Sequence, residues 1–212
     1  MKLVLIFFTL TCYLFSSDFT IARLKYDGGD WYSDPTSLTN LLKFTNQNSD
    51  LKCSDREVVC DVTEDEVFNY PYLYMTGHGD IKLNKNQIKA IRKHLLNGGF
   101  LHADDNYGMD KPFRALVKKI FPDMELTTVP FDHPIYNILF DFPKGLPKIH
   151  EHDNKKPEGL GIFHNGRLVL FYSYECDLGD GWEDKEVHND SDKKRIAALK
   201  MGANLIYYFI NS

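Results

Sequence analysis

On an extended strand, residues two apart project to one side, so His102 and Asp104 share a face while Ala103 and Asp105 share the other. A carboxylate beside an imidazole sets its tautomer and lets it act as a general base near neutral pH. Two stretches resemble the His102 to Gly108 segment in their density of Gly, Asp, His and aromatics: Tyr26-Asp27-Gly28-Gly29-Asp30-Trp31-Tyr32 and Thr76-Gly77-His78-Gly79-Asp80. Later come Asp132-His133-Pro134, His150-Glu151-His152-Asp153 and Tyr174-Glu175-Cys176-Asp177, the last running on through Asp180 to Trp182 and Glu183. His78, His102, Asp104, Asp105 and Glu175 are the candidates for acid–base catalysis. Asp27, Asp30, Trp31, Tyr32, Tyr107, His133 and Trp182 are the candidates for holding a ligand, the aromatic rings by stacking on a sugar. His102 with Asp104, or the His150-x-His152 pair, can present donors to zinc or another divalent metal, and no motif demands any other cofactor. Aspartates in such turns also cap helices, and Asp177-x-x-Asp180-x-x-Glu183 lacks the ligand pattern of a calcium loop.

Those residues need a frame. Phe19 to Tyr26 is rich in β-formers and predicts a first strand stopped by the turn cluster Asp27 to Asp30. Ser33 or Asp34, with Pro35 behind it, suits the start of a helix whose Leu38, Leu41 and Leu42 share one face. Leu51 to Val62 holds short strand material. Tyr72 to Met75 is a continuous apolar run of the kind a strand covered on both faces requires. Asn84 opens an amphipathic helix that Gly98 ends, and Phe100 to Ala103 resumes as strand. Strand, helix and strand within one short span make a βαβ unit, and its strands pair in parallel. Phe113 to Phe121 predicts a further helix, Leu126 to Val129 a strand, and Phe131 to Pro157 a loop. Asn165-Gly166 between two apolar runs is the signature of a tight hairpin, which adds antiparallel strands. Lys193 to Ile210 closes the chain as a buried helix. In such a sheet the ligand crevice lies beyond the carboxyl ends of the strands, where the polar loops fall.

The phrases YLYMTGHGD, LLNGGFLHADDNYGMD, FDHPIYN, KIHEHD and SYECDLGDGWED resemble, in this order, the bacterial domain-of-unknown-function family 4159. That resemblance implies a class I glutamine amidotransferase-like domain, a flavodoxin-like three-layer α/β sandwich with a mostly parallel sheet, to which the Asn165-Gly166 hairpin makes an antiparallel addition. In amidotransferases of this class the strand after the first long crossover helix ends in a cysteine elbow. Here that strand ends in His102-Ala103-Asp104-Asp105, with no thiol and no His-x-Glu partner motif late in the chain. Glutamine hydrolysis through cysteine is therefore excluded from the expectation.

Composition sets the outer bounds. The chain has 212 residues, 43% hydrophobic and 26% charged, and a formal net charge of −5. It is globular, and it lacks the positive field that would hold a phosphate backbone, so nucleic acid is not expected as a partner. Lys2 followed by the apolar run Leu3 to Phe15 predicts a signal peptide over 1–17, too short for the ~30 Å hydrocarbon core, ahead of a single domain over 18–212. Export would place the protein in the periplasm or outside the cell, with no transmembrane span after cleavage. Cys53, Cys60 and Cys176 would remain; the first two are close enough in sequence to bridge, and Cys176 is expected to be an inert strand-end side chain. Two functions fit: a hydrolase or lyase of a small polar or carbohydrate-like ligand, and a noncatalytic envelope module that holds a glycan or a protein partner.

Overall fold

The computed structural model describes residues 18–212, so the predicted leader over 1–17 lies outside the described residues. The first strand, β1 (Ala22–Lys25), runs into β2 (Asp27–Gly29), and helix α1 (Ser37–Asn48) leads to β3 (Val58–Asp61). The short α2 (Glu64–Val67) precedes β4 (Tyr72–Met75), β5 (Gly79–Lys82), α3 (Lys85–Leu96) and β6 (Phe100–Asp104). Then follow α4 (Asp110–Ile120), β7 (Thr127–Thr128), a 3-10 turn at Pro134–Tyr136, the hairpin β8 (Glu158–His164) and β9 (Arg167–Tyr174), and helices α5 (Leu178–Trp182), α6 (Lys185–His188) and α7 (Asp192–Asn211). The main sheet has seven strands in the order β3-β1-β4-β6-β9-β8-β7. Strands β3, β1, β4, β6 and β9 are mutually parallel, and their spatial order, 2-1-3-4-5 in chain sequence, is the flavodoxin-like arrangement. β8 and β7 extend it antiparallel.

The pleat explains the layers. Leu73, Met75, Leu101 and Ala103 face a core shared with Ile91 and Leu95 of α3 and with Phe113 and Leu116 of α4. Tyr72, Tyr74 and Phe100, one residue out of step, face a second core with Leu38 and Leu41 of α1, Trp182 of α5 and Met201 and Leu205 of α7. The sandwich and its hairpin match the sequence expectation, including φ values of 51° at Asn165 and 80° at Gly166, both positive as a type I′ turn requires. Asn84 and Gln87 close a full capping box on α3, and Gly98, at φ 104°, turns the chain out of it. Among the described residues no helix is long and apolar enough to cross a membrane.

Four local expectations need correcting. Asp27 to Gly29 is not only a turn: it pairs antiparallel with β5, which occupies part of the predicted loop after β4. A Cβ on Gly29 would stand 2.5 Å from the His78 carbonyl oxygen and 2.8 Å from that of Asp80, so only glycine lets the two backbones close up. Neither Ser33 nor Asp34 caps α1, which begins at Ser37, and Asp34 sits at φ 55° outside it. The 131–157 loop contains the 3-10 turn. Finally, Cys53 lies opposite Phe19 and Cys60 opposite Leu24 along one extended segment. Five residues of strand separate them by ~16 Å, beyond the reach of a disulfide, and all three described cysteines are free thiols.

Candidate functional site

The carboxyl ends of β1, β4, β6 and β9 open onto one edge of the sheet, and the chain order reverses between β1 and β4. Loops diverge at such a point and leave a crevice. Asp34 arrives there from the segment after β2, Asp104 and Asp105 from the end of β6, and Glu175 and Asp177 from the end of β9. Lys148, His150 and His152 come from the long segment ahead of β8, Asp180 from α5, and His188 and Asp190 from the end of α6 and beyond. Asp34, Glu175 and Asp177 all hold left-handed backbone, at φ 55°, 56° and 53°. Strain of this kind in non-glycine residues persists where the surroundings over-determine it, and it gathers at functional sites.

The inner layer is a buried hydrogen-bond chain that begins at His102 Nε2 and leaves His102 Nδ1 without a partner. His102 Nε2 lies 2.9 Å from Ser173 Oγ, and Ser173 donates to Asp104 Oδ1. Asp104 Oδ2 accepts the Gly179 backbone N–H at 2.6 Å and the Tyr74 hydroxyl at 3.5 Å. The expected His102 and Asp104 pair is thus joined through a serine, and both side chains are fully buried. Burial pushes the His102 imidazole down to about 3, which keeps it neutral, and lifts the Asp104 carboxyl well above the usual range with help from the Asp177 charge. This pair braces the edge; it does not meet solvent. Glu175, also fully buried, accepts from Lys148 Nζ at 2.9 Å and from the Asp153 backbone N–H, so it clamps the 148–153 segment to the end of β9. Cys176 is buried, its thiol pushed well up by burial, and it donates to the Tyr174 carbonyl. It is not a nucleophile.

The outer layer is where side chains reach water. His150 and His152 converge on one atom, Asp177 Oδ2, with Nδ1 of His150 at 3.4 Å and Nε2 of His152 at 3.1 Å. His150 Nδ1 also meets Asp180 Oδ2 at 2.5 Å, and its Nε2 lies 3.0 Å from Asp190 Oδ2. His188 Nε2 approaches Asp180 Oδ1 at 3.4 Å. Hydrogen bonds to Asp177 and Asp180 lift the His150 imidazole to about 10. Burial opposes ionisation of Asp177, yet the hydrogen bonds from His150 and His152 outweigh it and hold the carboxyl below its ordinary range. Burial, then the charges of Asp180, Asp177 and Asp104, drives the Asp34 carboxyl the other way. One donor atom each from His150, Asp180 and His188 lies within 4.8 Å of the others, as does one each from Asp34, Asp177 and Asp180. Of the expected metal donors only His150 falls in these sets; His102, Asp104 and His152 do not.

Beside this cluster is a pocket of about 260 Å³ lined by Asp105, Asn106, Tyr107, Gly108, Asp110, Lys111, His152 and Asp153. Asp105 accepts from the Tyr172 hydroxyl at 2.8 Å and from the Glu175 backbone N–H at 2.9 Å, and burial raises its carboxyl to about 6. Tyr107 is 68% exposed and its ring stands 6.4 Å from that of His152. Tyr107 thus forms an exposed wall of this pocket.

Other expected ligand residues fall elsewhere. Trp182 is fully buried, packed on Tyr74 and His102 with its indole N–H on the Ala198 carbonyl, so it cannot stack on a sugar. His133 caps the 3-10 turn and packs on Phe163 and Tyr208. Phe163 pairs with Leu168 at the start of β9, so His133 sits toward the opposite edge of the sheet. His78 Nδ1 bonds Asp30 Oδ2 at 2.9 Å, and this exposed pair staples the end of β2 to β5. Asp27 lies outward on β2 opposite Lys82. Trp31 packs against the core, while Tyr32 stands 63% exposed on its edge. Glu183, the last residue of the calcium-like spacing, turns away and accepts the Thr36 and Ser37 backbone N–H groups.

Sequence reading missed Asp34, Ser173, His188 and Asp190 as members of this edge. Asp34 looks like a helix cap before proline. Ser173 carries the one available signal, a polar residue in an otherwise apolar buried strand.

Comparison with known proteins places the chain in a family. The family described as a domain of unknown function, DUF4159, matches residues 20–210. The chain belongs to that family. A solved structure of a ThuA-like protein from Bacteroides uniformis is similar at 10% sequence identity, with a TM-score of 0.42 and coverage of 91% of each chain. No curated protein matches.

Proposed function

We propose that this DUF4159 member is an exported hydrolase or lyase acting on a small polar, carbohydrate-like ligand held in the Asp105–Tyr107–His152 pocket. The carrying observation is a buried carboxylate that titrates near neutrality and lines a pocket also walled by an imidazole and an exposed aromatic ring. A carboxyl at about 6 is well matched to general acid–base work at neutral pH. The pocket volume, near 260 Å³, is below the ~300 Å³ floor of most small-molecule sites, which limits the ligand to about one sugar ring. Asp105 is assigned as the proton-transfer group, His152, its Nε2 held by Asp177, as a wall of the pocket, and Tyr107 as the stacking wall. Export rests on the leader-like run behind Lys2, and amino-terminal sequencing of the fractionated protein tests it: a start near Asp18 outside the cytoplasm supports it, and an intact Met1 in the cytosol removes it.

Turnover of a panel of small glycosides and sugar acids is the test of the activity. With Asp105 acting as base, kcat/KM falls as pH drops through about 6, because the carboxylate form is lost. Asp105→Asn should lower kcat by ~10²-fold or more and abolish that acid limb. Equal turnover in the variant would contradict the assignment. The second reading, a noncatalytic glycan-binding module on an amidotransferase-like fold, is favoured by one feature: the end of β6 carries His102-Ala103-Asp104-Asp105 where a cysteine elbow would stand. Saturable sugar binding without turnover on any member of the panel would select it.

A further inference from the structure

We propose that His150, Asp180 and His188, backed by the Asp34 and Asp177 carboxylates, form a binding site for one divalent metal ion of the zinc class. Two imidazoles and a carboxylate are the donor set such ions take when a coordination position is left for water or ligand. Donors bound to one tetrahedral ion at ~2.1 Å stand about 3.4 Å apart. His188 Nε2 lies 3.4 Å from Asp180 Oδ1, as that spacing requires, whereas His150 Nδ1 stands 2.5 Å from Asp180 Oδ2 in a direct hydrogen bond that an entering ion would replace.

Two further observations are independent of that spacing. Asp34 and Asp177 are more than nine-tenths buried, and each leaves one carboxylate oxygen without a hydrogen-bond partner: Oδ2 of Asp34 and Oδ1 of Asp177. Among the described residues, no Lys or Arg forms an ion pair with Asp34, Asp177 or Asp180. Among those residues histidines alone pair ionically with Asp177 and Asp180, and the two buried oxygens left without a partner, Asp34 Oδ2 and Asp177 Oδ1, call for a proton or a cation. The outer contacts are also those of a metal site. A metal-bound imidazole characteristically turns its second nitrogen to a carboxylate, and His150 Nε2 lies 3.0 Å from Asp190 Oδ2, an oxygen that has no hydrogen-bond partner here and is free to take that role, while Lys194 holds Oδ1. His152 Nε2 orients Asp177 in the same way. His150 and His188 side chains are 30% and 29% exposed, which leaves a route from solvent.

The experiment uses tag-free full chain, stripped with EDTA and titrated with Co²⁺ while its visible d–d absorption is recorded, with Zn²⁺ competition as a second readout. Wild type should saturate at one equivalent, with Zn²⁺ displacing the cobalt. His188→Ala, at a partly exposed position, should bind at least 10-fold more weakly. Asp190→Asn should weaken binding by ~10-fold through His150. His133→Ala, toward the other edge, should bind as wild type does. Non-saturating binding in wild type, or His188→Ala binding as tightly, would overturn the proposal. The site shares its edge with the proposed catalytic pocket, but the outcomes separate: cobalt binding without turnover keeps the ion and removes the hydrolase, and turnover without cobalt binding does the reverse.

Discussion

His102 shows how a residue with the right chemistry can serve by staying out of the reaction. Its imidazole is fully buried and held neutral, with a pKa near 3, against about 6.5 in the unfolded chain. Between those values the unfolded chain binds a proton that the folded one refuses, so stability rises with pH across the window and is lost as pH falls below 6.5. Going from pH 7 to pH 5, this group alone should cost ~2 kcal/mol. Urea unfolding of wild type and His102→Asn at both pH values checks it: the variant's loss on acidification should be smaller by about that amount, and an identical loss would mean the imidazole is not buried neutral. His102, Asp104 and Asp105 were legible in the sequence because they end a recognisable strand. Asp34, His188 and Asp190 were not, because their importance depends on contacts with residues more than a hundred positions away or across a separate helix.

Long-range contacts also decide where elements begin. The amino end of α1 offers no side-chain cap of its own; instead Glu183 Oε1 accepts the Thr36 and Ser37 N–H groups at 2.7 and 3.1 Å. Thr36 Oγ1 returns an acceptor to the Asp184 N–H at 3.1 Å, so the two helix-flanking turns fasten each other. No local pattern could reveal a cap supplied 147 residues later. Glu183→Ala should lose about 1 kcal/mol or somewhat more in denaturant unfolding, as helix caps generally do. A loss of only a few tenths would show that water replaces the carboxylate. Gly179 is the second such joint: a Cβ there would stand 2.7 Å from Asp34 Oδ2 and 2.9 Å from the Tyr74 hydroxyl. Gly179→Ala should therefore destabilise by ~1–3 kcal/mol and disturb Asp34 directly. By contrast, α3 and the β8–β9 hairpin were readable in full, since their caps and turn lie within a few residues of the elements they govern.

At the scale of the molecule, the apolar runs and the βαβ unit were enough to anticipate a parallel sheet covered on both faces. The small β2–β5 sheet was not foreseeable: it rests on backbone pairing and glycine, with no apolar alternation to announce it. The 2-1-3-4-5 order then gathers groups from six separate stretches of chain at one edge, with His133 toward the other. An ion bound there would tie α5, α6 and the 148–153 segment together. At a hundred times its Kd, Zn²⁺ should add ~2.7 kcal/mol to wild-type stability, a rise of roughly 5–10 °C in Tm, and His188→Ala should lose most of it.

The most direct measurement of whether this edge is the working site is an anomalous difference map, collected at the zinc absorption edge from crystals of the full chain grown with one equivalent of Zn²⁺. The account predicts a single strong peak within ~2.2 Å of donor atoms from His150, Asp180 and His188, with Asp34 and Asp177 turned toward it. A peak confined to other residues, or no ordered peak in crystals that contain the metal, would contradict it.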